Sequence, residues 1–84
     1  MITVLYFARL REAVGRASED LTLPAAVHTV AMLRAHLVDR GSPWAEALGG
    51  SGTVRVAVNQ TMAHEGTAIQ DGDEVAFFPP VTGG

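Results

Sequence analysis

Few side chains in this sequence could do chemistry, and their spacing assembles no catalytic site. His28, His36 and His64 stand singly, without metal-ligand spacing, so each reads as a surface or half-buried residue. Asp71, Asp73 and Glu74 lie close together. Asp-Gly-Asp is first a turn signature, with Asp at the corner and Gly allowing the bend; a cation site is the lesser reading. Gly-Gly-Ser-Gly at 49–52 is too short to cradle phosphate and lacks the Lys-Ser/Thr that follows in a P-loop. Asn59-Gln60-Thr61 reads as a strand end or turn. Arg9, Arg11 and Arg16 gather after the first apolar run, either as a solvated face or as a surface for an acidic partner. These side chains provide no catalyst, and the chain is expected to bind no cofactor or metal of its own.

The main chain offers more. The sequence closes on Pro79, Pro80, Val81, Thr82, Gly83 and Gly84. A C-terminal carboxyl has a pKa near 3.5, so at neutral pH Gly84 ends as a carboxylate, a poor electrophile. Transfer to phosphate as an acyl adenylate, made from ATP, turns it into a reactive acyl group. Entering an enclosed active site requires a thin, extended chain. From Pro79 to Gly84 the reach is at most roughly 20 Å. The prolines stiffen the root of this tail, and the glycines let a narrow tunnel close on their backbone from all sides. Ordering the tail costs about 1–2 kcal/mol per residue, so binding energy must come from elsewhere on the surface. All six basic residues are arginine, which leaves no lysine amine in the chain for a carried acyl group to meet.

Composition bounds the rest. Eighty-four residues support one domain with one modest core. At 48% hydrophobic and 18% charged, the chain is too apolar for disorder. It has no cysteine, so no disulfide braces it, which fits a reducing compartment. A net charge of −3 argues against a nucleic-acid surface. The opening residues lack a basic n-region, and no apolar run approaches a membrane span. The expected location is cytoplasmic, with no nucleic-acid or membrane partner.

The elements that must present the tail follow from the pattern. Ile2 to Ala8 is β-branched and aromatic and predicts a strand. A short helix over residues 9–14 follows, closed by Gly15. Ser18 to Leu23 alternates as a second strand, stopped by Pro24. Thr29 caps a helix to Arg40 with Val30, Leu33 and Leu37 on one stripe, and Gly41 ends it. Ser42-Pro43 starts a short helix carrying Trp44 and Leu48, and residues 49–52 form a flexible loop. Thr53 to Gln60 is a third strand, residues 61–66 a short edge and Glu74 to Phe78 the last strand, halted by Pro79-Pro80. This order predicts an α+β, β-grasp (ubiquitin-like) roll. Its mixed sheet of about five strands packs on one main helix, with short helices beside it. Residues 1–78 form the domain and residues 79–84 an extended, flexible tail.

One helix covers one face of such a sheet. If Ile2, Val4, Tyr6, Val75 and Phe77 face it, then Leu5, Phe7 and Phe78 face away, with Met62 as an addition from the edge. A contiguous apolar patch of this kind marks an interface, unless a loop or the short helix covers it or the strand register is off by one.

The Gly-Gly end on a β-grasp pattern resembles the ubiquitin-like sulfur carriers. Asn59-Gln60-Thr61, followed by the run from Asp71 to Gly84, and the opening residues 1–15, resemble the small subunit of molybdopterin synthase, the MoaD family. The middle, Leu23 to Thr53, matches only in general pattern. The resemblance implies that an activating enzyme consumes ATP to adenylate Gly84 and that a sulfur donor converts the end to a thiocarboxylate. The tail then enters the large synthase subunit, where sulfur passes to a cyclic pterin precursor to form the dithiolene that holds molybdenum. It also implies that Phe7, Met62 and Phe78 lie in the hydrophobic partner interface and that Arg11 makes a polar contact with the adenylating, E1-like enzyme. A thiamine-pathway sulfur carrier and a ubiquitin-like modifier ligated to target proteins are the alternatives.

Overall fold

The computed structural model describes residues 1–49 and 54–80. Five strands form one sheet in the order β2-β1-β5-β3-β4: β1 (Ile2–Tyr6), β2 (Ser18–Leu21), β3 (Arg55–Val58), β4 (Thr61–Ala63) and β5 (Glu74–Phe78). β1 and β5 run parallel at the centre, and the outer pairs are antiparallel. α1 (Ala8–Val14), α2 (Val30–Val38) and α3 (Trp44–Gly49) complete the chain. This is the expected mixed sheet with one principal helix, and its first and last strands are adjacent in the middle.

The inner face of the sheet is set by period-two alternation. Ile2, Val4 and Tyr6 of β1 and Val75 and Phe77 of β5 are each no more than 1% exposed. They meet Leu10 of α1, Val30, Leu33 and Leu37 of α2, and Leu48 of α3 in one core. α2 begins where Thr29 accepts a 3.2 Å hydrogen bond from the Met32 amide, as a cap should. The first two amides of the helix, Val30 and Ala31, donate to the carbonyls of Thr67 and Glu65. The long connection between β4 and β5 thus holds the start of the helix.

Several boundaries fall short of the sequence expectation, each for a local reason. β1 ends at Tyr6, because Phe7 is the N-cap of α1 and Ala8 takes a left-handed φ of 52°. β2 stops at Leu21, which pairs with Ile2, the first residue of β1. β3 stops at Val58 because Asn59 and Gln60 take φ of 50° and 67° and make a two-residue hairpin turn to β4. α2 closes at Asp39, two residues before Gly41. Gly15 ends α1 in the left-handed conformation, φ 81°, as expected. Of the predicted glycine loop, residues 50–52 lie outside the described residues.

Candidate functional site

On the outer face of the sheet, apolar residues line up across four strands. Leu5 is in register with Ala76, Ala76 with Ala57, and Ala57 with Met62. Phe78 continues this face along β5, and the Phe7 amide donates a 3.1 Å hydrogen bond to the Phe77 carbonyl. Phe7 is 46% exposed and Met62 60%, whereas Leu5, Ala57 and Phe78 are half-buried. Ala76 faces outward by parity yet is only 7% exposed; its single methyl lies on the central strand, between Leu5 and Ala57. The inner assignments of Val75 and Phe77 exclude a register slip in β5. Leu5, Phe7, Met62 and Phe78 therefore share one side of the sheet, and Phe7 and Met62 stand well clear of the fold.

Phe7 is held out by its backbone. It is extended (φ −122°, ψ 154°) at the start of α1, and the amides of Leu10 and Arg11 return to its carbonyl. Ala8 turns the chain in the left-handed region, which costs a non-glycine residue of order 1 kcal/mol. Arg11 is exposed one helical turn beyond Phe7. β5 delivers Phe78 to this face and passes directly into Pro79 and Pro80, which are half-buried. Val81, Thr82, Gly83 and Gly84 lie outside the described residues.

The polar candidates take structural positions. Asp73 accepts hydrogen bonds from the Gln70 amide (2.8 Å) and the Asn59 side-chain amide (3.0 Å). The Asn59 side-chain oxygen accepts from the Glu74 amide at 3.0 Å. The Asp-Gly-Asp segment is thus a turn, with Gly72 at φ 92°, and Asn59 ties it to the β3–β4 hairpin. His28, His36 and His64 are all exposed and dispersed. Among the described residues no group of three or more His, Asp or Glu could hold a metal ion.

Sequence reasoning missed one polar cluster on the inner side. The Tyr6 hydroxyl donates to Glu19 at 2.8 Å and accepts from the Trp44 indole at 3.2 Å. Arg40 donates to both Glu19 oxygens and lies 4.7 Å from the Trp44 ring centre. Burial, followed by the hydrogen bond to Glu19, pushes the Tyr6 phenol well above its ordinary pKa. Burial alone would raise the Glu19 carboxyl, but the hydrogen bonds from Tyr6 and Arg40 and the charges of Arg40 and Arg16 outweigh it and hold the pKa below the usual value. The available signal was Tyr6 itself, since a tyrosine at an inward position needs a partner for its hydroxyl.

Comparison with known proteins gives a consistent result. A model of the ThiS family matches residues 4–84. Two proteins named molybdopterin synthase sulfur carrier subunit, from Haemophilus influenzae and Escherichia coli, are 44% and 48% identical to this chain, each over the whole of both chains. Among solved structures, SAMP1 (small archaeal modifier protein 1) from Haloferax volcanii aligns with TM-score 0.74 at 28% identity, covering 99% of this chain and 98% of that one. A chain of the complex of subunits 1 and 2 of molybdopterin-converting factor from Helicobacter pylori aligns with TM-score 0.66 at 24% identity, covering 99% of this chain and 97% of that one, and shares the fold.

Proposed function

The chain belongs to the ThiS family, and we propose that it is a sulfur carrier in molybdopterin biosynthesis, the small subunit of a two-subunit synthase. The observation that carries this reading is the full-length likeness to the sulfur carrier subunits, at 44% and 48% identity. The site geometry supports it physically. One strand, β5, packs Phe77 into the core, presents Phe78 on the outer face and leads into the proline pair.

In this reading the Gly84 carboxylate, held by the activating enzyme, attacks the α-phosphorus of ATP, releasing pyrophosphate and leaving an acyl adenylate. A sulfur nucleophile at the sulfide level then displaces AMP and leaves a thiocarboxylate. The patch of Leu5, Phe7, Met62 and Phe78 docks on the large subunit. Pro79 and Pro80 stiffen the root, Val81 and Thr82 span the entrance, and Gly83 fits where a side chain would not. Each loaded terminus supplies one sulfur to the cyclic pterin precursor, so a dithiolene consumes two of them. Arg11 contacts the activating enzyme. The carrier contributes the sulfur and its delivery; the catalytic groups belong to the large subunit.

The test is a mass measurement on the full chain. Incubation with the activating enzyme, ATP and a sulfur source should raise the intact mass by the difference between sulfur and oxygen, and fragmentation should place the change on Gly84. Deleting Gly84, or extending the chain past it by one residue, should abolish the change. If it persists without Gly84 or maps elsewhere, the carrier reading fails. The likeness to a small archaeal modifier protein favours a second reading, ligation of Gly84 to protein lysines. Covalent conjugates in a lysate of the native organism, lost on deletion of Gly84, would establish it.

A further inference from the structure

The six arginines divide by what they touch. Arg16 and Arg40 reach Glu19, and Arg34 bonds Glu65 and the Leu48 carbonyl. Arg9 has interactions of its own. Among the described residues Arg11 and Arg55 have no carboxylate partner, and both are exposed. Each is tied through its backbone to one phenylalanine of the outer face: the Arg11 amide points to the Phe7 carbonyl, and Arg55 is in register with Phe78. Arg55 alternates with Val56 in β3, so it shares the outer face with Ala57, Phe78 and Met62. It also lines a shallow hollow with His64 and Glu65, where the Glu65 charge is already engaged by Arg34.

We propose that Arg55 is a specificity-determining contact of the docking face and meets a carboxylate on the large subunit beside the entrance that receives the tail. The inference rests on the sulfur-carrier reading and adds the chemistry of the partner: an apolar surface with an acidic residue at its rim. A guanidinium with no carboxylate partner among the described residues gives the fold no ion pair there. It is well placed to fix orientation, since its planar fork takes a carboxylate through two hydrogen bonds. One arginine on a chain of net charge −3 does not make the broad basic field that nucleic acid requires, so the matching group is a carboxylate of a protein surface.

The experiment measures association with the large synthase subunit from the same organism by stopped flow, at low salt and at about 0.5 M, where screening collapses to a few ångströms. Arg55→Glu should slow association roughly tenfold at low salt and Arg55→Gln by less, and both should converge on the unmodified protein at high salt. Their melting temperatures should be unchanged; if Arg55→Glu melts early, Arg55→Gln carries the comparison. Phe78→Ala is the separating arm. If it speeds dissociation while the Arg55 variants associate at the unmodified rate, or if their deficit is indifferent to salt, the Arg55 proposal is wrong and the docking reading stands. If Phe78→Ala also changes nothing, the docking reading itself is lost.

Discussion

The hydroxyl of Tyr6, the last residue of β1, donates a 2.8 Å hydrogen bond to Glu19 on β2, and Arg40, in the turn just past α2, closes on the same carboxylate. Sheet and helix layer are therefore joined by charge as well as by apolar packing. Tyr6→Phe removes a donor to Glu19 and an acceptor for Trp44 and should cost about 1–2 kcal/mol. For a domain of this size each kcal/mol lowers the melting temperature by roughly 4–8 °C.

The same carboxylate sets a pH dependence. Its folded pKa lies below its unfolded one, so the stability it contributes is fully present above the ordinary glutamate pKa and is lost as pH falls through the depressed folded value. Thermal melts from about pH 7 down to about pH 3 should show a shallower acid limb for Glu19→Gln than for the unmodified chain. Equal slopes would mean that Glu19 carries no such linkage.

Much of this architecture was legible from the residues. The β-branched and aromatic run from Ile2, the Thr29 cap and the stripe of Val30, Leu33 and Leu37 each dictate a local structure that tertiary packing does not override. Strand ends were less legible, because they depend on partners: β2 stops where β1 begins, which nothing within β2 records. Tyr6 signalled that its hydroxyl needs a partner, but Glu19, Arg40 and Trp44 could not be picked out as that partnership because they come from three other segments. The outer patch was readable from parity alone, whereas Arg55 looked like an ordinary solvent-facing residue until its neighbours were known.

The turn after β3 carries a further prediction. Asn59 and Gln60 both have positive φ, and Asn59 hydrogen-bonds Asp73 and the Glu74 amide. This ties the hairpin that places Met62 beside Ala57 to the start of β5. Asn59→Ala loses both bonds and the residue best suited to left-handed backbone, and should cost about 2 kcal/mol in urea denaturation. Gln60→Gly creates the Asn-Gly pair favoured in such turns and should be neutral or stabilising by about 0.5 kcal/mol, whereas Gln60→Val should destabilise. A silent Asn59→Ala would show that the hairpin holds its register without this tie.

The adjacent phenylalanines of β5 give the sharpest test of which side of the sheet meets the partner. Phe77 is 1% exposed and packs on the core, so Phe77→Ala should cost about 3–5 kcal/mol. That is much of the total stability of a small domain, and the variant should be largely unfolded at physiological temperature. Phe78 is half-buried on the outer face; its truncation should cost the fold only about 1 kcal/mol and leave the circular dichroism spectrum unchanged. Its loss from a docking face should instead cost 2 kcal/mol or more of binding, about thirtyfold in Kd, measured by titration calorimetry with the large subunit. Opposite behaviour, with Phe78→Ala unfolding the chain and Phe77→Ala tolerated, would place the partner surface on the helix side and remove the patch from the mechanism.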